Sequence, residues 1–205
     1  MKSLKQAKYD LVLENIKNIM LRNGINNLTI SDIAKELEIG EATIYRYFGT
    51  KLNLVIQVGI SLWNDILIQL RAKPRKETGY DSVKDFFNYF IEGFNSQKKA
   101  FIFLNQFDSL MIKEKISKDS LANYDKTLYQ IKQIFDKLFL QGINDSSIKD
   151  NIERDTYYYT TTHMILGICK RLASDGNILS SDDIVGDIAQ IKLALDMCLK
   201  YIKRK

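Results

Sequence analysis

The chain has 205 residues, with 30 Lys and Arg against 25 Asp and Glu for a formal charge of +5, and a pI near 9.0. Its length suits one large domain or two small ones, and 45% hydrophobic residues provide enough apolar surface for a core, which excludes wholesale disorder. One proline and ten glycines are too little punctuation for a many-stranded β fold, so an all-α fold is expected.

The rarer residues narrow the chemistry. The two cysteines, Cys169 and Cys198, are far apart and form no CxxC pair, which leaves no disulfide framework and no cysteine-based zinc site. A reduced, cytoplasmic compartment is expected. His163 is the one histidine, so a His-rich metal site is excluded and a catalytic triad would depend on that single residue. The sequence contains no GxSxG elbow, Walker A loop or GxGxxG turn. Neither an enzyme nor a bound cofactor or metal is expected.

Met1–Lys8 is polar and basic, and no apolar run follows it, so it does not read as a secretory signal. The longest apolar stretch, Leu52–Leu70, is interrupted by Asn53, Gln57, Asn64, Asp65 and Gln69. These interruptions argue against a membrane span, and a soluble, intracellular protein is expected.

In chain order, Lys5–Asn23 predicts a first helix, with Val12, Ile16, Ile19 and Met20 at helical spacing and Gly24 at the C-terminal cap. Thr29-Ile-Ser-Asp32 has the capping-box pattern, and Ile30, Ile33, Ala34 and Leu37 form one apolar stripe. Gly40 then supplies a permissive turn. A third short helix is predicted over Glu41–Phe48, and a longer fourth over Lys51–Arg71. Ala72–Tyr80, which holds Pro74 and Gly79, is the expected joint between two regions. Helices follow over Asp81–Ser96, Lys98–Met111, Ser117–Gln141 (stopping at Gly142) and Ile152–Ser174 (stopping at Gly176). A last helix is predicted from the capping pattern Ser180-Ser-Asp-Asp183, about nine helices in all.

The second and third helices, joined by a short turn, have the helix-turn-helix layout. At about 100° per residue, Ile44 and Phe48 define the inward face of the third helix, and Ala42 and Arg46 lie opposite. Thr43, Tyr45 and Tyr47 flank that outer face. A helix entering the major groove needs a small residue for close approach, an Arg that can fork onto guanine and hydroxyls that reach phosphates. Glu41 can accept from cytosine or favour the helix N-terminus. An ordinary solvated helix face would carry the same residue types.

The run from Gly24 through Thr29, Asp32-Ile-Ala34, Thr43-Ile-Tyr-Arg-Tyr-Phe48 and Lys51-Leu52 closely resembles the DNA-binding region of TetR-family transcriptional regulators. The resemblance is carried by about a quarter of the chain. The sequence departs from the family at Gly40, where Ser or another capping residue is usual, and at Ala42, where Gly is frequent. The resemblance implies that Thr29, Tyr47 and Lys51 hold phosphates, and that Glu41, Ala42, Thr43, Tyr45 and Arg46 supply base-edge and backbone contacts. It divides the chain into a DNA-binding domain over 1–51 and a helical effector-binding and dimerisation domain over 52–205.

The resemblance further implies a small-molecule effector, a palindromic double-stranded operator and a homodimer, with no membrane partner. The C-terminal helices are rich in aromatics, which leans toward an apolar or aromatic effector. Phe86, Phe90, Phe103, Phe107, Tyr124, Tyr158 and His163 are the candidate pocket residues, the last three as polar handles. Each aromatic has plain core packing as its alternative. For the dimer, Ile165, Leu166, Ile168, Leu172, Ile184, Ile188, Ile191, Leu195 and Leu199 give the last two helices apolar faces, with a buried seam inside one chain as the competing explanation. A repressor released from its operator by the effector is the expected function. An activator of the same fold, an enzyme and a pure interaction module are the rivals.

Overall fold

The computed structural model describes residues 3–174 and 184–204. Its helices run in the order α1 (Leu4–Asn23), α2 (Ile30–Glu36), α3 (Glu41–Phe48), α4 (Lys51–Ala72), α5 (Gly79–Glu92), α6 (Lys98–Lys113), α7 (Ala122–Asn144), α8 (Arg154–Ser174) and α9 (Asp187–Ile202). A short 3-10 turn, Asp119–Leu121, precedes α7. The all-α fold agrees with the sequence reading.

The helix ends follow local chemistry. Ser3 caps α1 by accepting from the Gln6 N–H, and Gly24, with φ +80°, closes it by donating to the Met20 carbonyl. Thr29 and Asp32 form the reciprocal capping box at α2. Thr50 accepts from the Asn53 N–H at 3.1 Å and so opens α4 at Lys51. Thr78 caps α5 through the Asp81 N–H, which starts that helix two residues earlier than the spacing predicts.

Three expected boundaries need correction. The sequence places the permissive turn between α2 and α3 at Gly40, but Gly40 has an ordinary φ of −72° and serves as the N-cap of α3; the left-handed residue is Glu38, with φ +53°. Gly142 does not stop α7, which continues to Asn144. That glycine exists for packing: a Cβ on Gly79 would meet the Gly142 backbone nitrogen at 1.9 Å, and one on Gly142 would meet the Ile148 side chain at 2.4 Å. Residues 184–186 are not helical and α9 begins at Asp187 after Gly186. The Ser180–Asp183 pattern and Gly176 lie outside the described residues.

The chain packs as two compact units, Met1–Ile66 with Ile102–Leu128, and Leu67–Phe101 with Tyr129–Lys205. In the first, Ile16, Ile19 and Met20 of α1, Ile33 and Ala34 of α2, and Ile44 and Phe48 of α3 are buried together with Leu54, Val55 and Val58 of α4. Lys17 is also buried, at 5% exposure. It is paired with Glu14 at 2.7 Å and with Asp65 of α4, and it donates to Ser61. In the same unit the rings of Phe107 and Tyr124 stack with centroids 4.7 Å apart, and the Trp63 indole donates to the Tyr124 hydroxyl at 2.6 Å. Gly59 makes room for them: its Cβ would stand 3.0 Å from Tyr124 and 3.1 Å from Phe107.

The second unit is built around Phe135. Its ring lies 4.9 Å from Tyr158, 5.8 Å from Phe86, 5.8 Å from Phe87 and 5.5 Å from Phe139. Helices α8 and α9 pack on each other, and α5 packs on α9. The basic C-terminal end, which carries most of the excess charge, is tied down. Lys149 donates its N–H to the Ile202 carbonyl and Arg204 donates its N–H to the Ser147 carbonyl. Arg204 also pairs with Asp150 at 3.2 Å, and Lys203 lies over the Tyr80 ring.

α4 is long and apolar enough to pass for a membrane span by length and composition. Leu54, Val55, Val58, Leu62, Ile66 and Leu67 along it are buried within the protein, which is the pattern of a core helix.

Candidate nucleic-acid interface

α3 is eight residues long, and its register divides it cleanly. Ile44 and Phe48 are 1% and 2% exposed, which anchors the helix on the core. Glu41, Ala42, Tyr45 and Arg46 are exposed, and Thr43 and Tyr47 are half-buried at the flanks. The outward face is thus the set expected from the helical spacing: a small residue, an acid, an arginine and hydroxyls on one solvent-facing surface.

The aromatics at the flanks behave differently. Tyr45 is free of the core, at 49% exposure. Tyr47 stands edge-on to Tyr9 of α1, with centroids 5.8 Å apart, and Tyr9 also packs on Phe48 at 5.1 Å. The Arg46 guanidinium lies 5.5 Å over the Tyr47 ring, a cation–π contact that restricts the arginine before any ligand arrives. Tyr9 carries no motif that marks it from sequence.

At α2 the Thr29 hydroxyl donates to the Asp32 carboxylate at 2.6 Å and accepts from the Asp32 N–H at 3.1 Å. The carboxylate also accepts from the Thr29 N–H at 2.8 Å. These bonds hold the Asp32 carboxyl below its ordinary pKa, the Thr29 hydroxyl first and its backbone N–H second. In the free protein the Thr29 hydroxyl proton is held by the Asp32 carboxylate, so a phosphate that binds at this corner competes with that carboxylate for it. Lys51, half-exposed, opens α4 where the helix dipole offers it nothing.

A second relationship fixes the turn after α1. The buried Ile25 N–H donates to the Gln106 side chain of α6 at 2.7 Å, and Gly24 lies against the same amide, where an added Cβ would come within 3.1 Å. Arg22 of α1 and Glu36 of α2 form an ion pair beside it.

Residues 12–58 match the family profile of bacterial regulatory proteins, tetR family. The tetR-family match thus covers the helix-turn-helix block, α2 and α3, with parts of α1 and α4. Over 182 residues it is 24% identical to an uncharacterized HTH-type transcriptional regulator of Haemophilus influenzae, covering 87% of this chain and 90% of that one. Solved structures agree in fold. A TetR transcription regulator from Haloarcula marismortui superposes with a TM-score of 0.77 at 11% identity, covering 97% of this chain and 100% of that one. A transcriptional regulator from Saccharomonospora viridis, in complex with choline, gives 0.72 at 14% identity, covering 98% and 100%. The likeness in fold to these regulators extends over nearly the whole chain.

The expected pocket residues fall in separate places. Phe103 and Phe107 are buried in the first unit, where Phe107 stacks on Tyr124. Phe86, Phe90 and Tyr158 are buried in the second, where Phe86 and Tyr158 both pack on Phe135. Burial raises the pKa of Tyr124 and of Tyr158 well above the ordinary tyrosine value. His163 is exposed on α8, beside the half-exposed Tyr159 ring at 6.2 Å. The register explains this: Thr161 and Ile165 on either side of it face the core.

The residues expected at the dimer face divide the same way. Ile165, Ile191, Leu195 and Leu199 are buried within the chain, so for these four the intramolecular seam is the correct reading. The apolar residues that α9 leaves in solvent are Leu193, Met197 and Tyr201, each about three-fifths exposed (62%, 60% and 62%). Ile184 is exposed too, and Leu166 and Ile168 are half-buried. Among the described residues no group of three or more His, Cys, Asp or Glu is placed to hold a metal.

Proposed function

We propose that this regulator is a cytoplasmic, homodimeric repressor that sets α3 of each subunit into the major groove of a palindromic operator and is released by a small apolar or aromatic effector. The observation that carries the DNA reading is the outward face of α3, with Glu41, Ala42, Tyr45 and Arg46 in solvent while Ile44 and Phe48 anchor the helix. Thr29, Thr43, Tyr47 and Lys51 frame that face and serve the flanking phosphates and backbone. Phosphate contacts position the helix and base-edge contacts specify it.

Dimerisation follows from the same logic, since two recognition helices must read half-sites spaced by whole helical turns. It is supported by the exposed Leu193, Met197 and Tyr201, the last two of which border a groove of about 380 Å³ between α8 and α9. An effector is supported by the aromatic clusters around Phe107–Tyr124 and Phe135–Tyr158, and by the choline held by the Saccharomonospora viridis regulator of the same fold. Effector occupancy shifts α4 and α6. Through Lys51 and through the Gln106–Ile25 bond, those helices then reset the angle of the reading head. A gel shift on the DNA upstream of the protein's own gene tests the proposal: retarded complexes are expected, and their absence even at low salt, where DNA binding is strongest, would count against DNA binding by this chain.

A further inference from the structure

The second unit carries a further cleft, which shares Phe86 with the aromatic cluster around Phe135. The end of α4, the segment after it, α5 and α7 enclose a volume of about 180 Å³. Its apolar lining is Leu70, Phe86, Ile134 and Leu138. For scale, a dry protein cavity of about 150 Å³ accommodates a benzene ring.

The rim has the opposite character. Arg71, Lys73, Arg75 and Lys137 line it against one carboxylate, Asp85. That carboxylate is already satisfied: Lys73 pairs with it at 3.1 Å, and Lys76 approaches it at 3.8 Å. Arg71, Arg75 and Lys137 are exposed and form no ion pair with any described residue. Three cations from two segments therefore converge on an apolar hollow with no anion of the protein's own left to neutralise them. Arginine forks suit a carboxylate in particular, and the hollow suits one ring or a short chain.

We propose that this cleft is a binding site for a small amphipathic carboxylate, its ring or chain on Leu70, Phe86, Ile134 and Leu138 and its carboxylate held by Arg71, Arg75 and Lys137. The assignment is of a ligand site and stands whether or not occupancy changes operator binding.

The test uses the full chain without DNA, with 4-fluorobenzoate as the probe and 4-fluorobenzamide as its uncharged counterpart, both followed by fluorine NMR. The expected result is that the acid binds the protein about tenfold or more tightly than the amide, as a charge-assisted contact predicts. The R71Q/R75Q/K137Q variant alters exposed side chains alone. In it the preference is expected to fall to within about twofold, with the thermal transition unchanged. A second variant, Ile134→Trp, fills the hollow and is expected to abolish binding of both probes. Equal binding of acid and amide, a preference that survives in the triple variant, or no binding of the acid at millimolar concentration would each overturn the proposal.

Discussion

The Gln106 side-chain oxygen accepts the Ile25 backbone N–H at 2.7 Å, joining α6 to the turn between α1 and α2 across 81 positions of sequence. Ile25 is 1% exposed, so water cannot replace that acceptor. Removing it leaves a buried donor unpaired, which costs about 1–3 kcal/mol. Gln106→Leu is therefore expected to lower stability by that amount in denaturant titration, and Gln106→Glu, which keeps an acceptor, by less. Gly24→Ala meets both a disallowed backbone (φ +80°, ψ 160°) and the Gln106 amide. A loss of about 1–3 kcal/mol is expected for the backbone strain alone.

The turn between α2 and α3 offers the opposite sign. Glu38 holds a left-handed φ of +53°, a conformation that costs an L residue about 1–2 kcal/mol. Part of that is returned by glycine, less its extra chain entropy. Glu38→Gly is expected to raise the thermal midpoint by a few degrees. Gly40→Ser adds a side-chain acceptor at an N-cap that has none and is expected to add a few tenths of a kcal/mol. Thermal unfolding monitored by circular dichroism reads both, and a fall in either midpoint would refute the backbone argument.

Lys17 has a pH signature. Burial alone would lower its pKa, but hydrogen bonds and charge from Asp65 and Glu14 outweigh it and raise the ammonium above its ordinary 10.5. A group whose folded pKa is raised stabilises the fold fully below its unfolded pKa, and the contribution disappears as pH climbs through the folded pKa. The difference in stability between wild type and Lys17→Met is thus expected to be constant to about pH 10 and to shrink above 10.5. Unfolding titrations from neutral to strongly alkaline pH check this. The buried tyrosines titrate in both proteins and cancel in the comparison.

Much of this was legible in the sequence, and the reasons differ by element. The Thr29–Asp32 box and the Ile44–Phe48 repeat are local, so α2 and α3 begin and end where spacing places them. The outward face of α3 follows from the same register. What eluded the sequence depends on partners far along the chain. Gly142 resembles a helix stop, yet it answers to Gly79 and Ile148. His163 resembles an interior handle, yet its register on α8 faces solvent. Ile191, Leu195 and Leu199 have the spacing of an interface, but α8 and α9 use them on each other, and periodicity cannot tell a seam within one chain from one between two. Gln106 and Tyr9 carry no motif at all.

The dimer proposal rests on the face those helices leave over. A single charge at the centre of an apolar contact is unfavourable, so Leu193→Glu with Met197→Glu is expected to yield monomers by light scattering with helical content preserved. Ile191 and Leu195 are buried in the chain, and charges there are expected to unfold it instead. A double variant that stays dimeric would move the interface elsewhere.

On DNA, the two kinds of contact separate by measurement. Arg46→Ala is expected to cost about 1–3 kcal/mol at one base position and to relax specificity there. Lys51→Ala is expected to weaken all sequences alike and to reduce the salt slope by about one unit. Fluorescence anisotropy across a salt series distinguishes these outcomes.

Selection of binding sites from a random duplex pool tests the central claim most directly. If α3 of each subunit reads a half-site, the wild-type chain enriches a palindrome whose half-sites are spaced by whole helical turns. Arg46→Ala then enriches a pool with one symmetric pair of positions relaxed. Failure to enrich any sequence, or an unchanged consensus and affinity in the Arg46→Ala and Tyr45→Ala variants, would contradict the assignment of α3 as the reading helix.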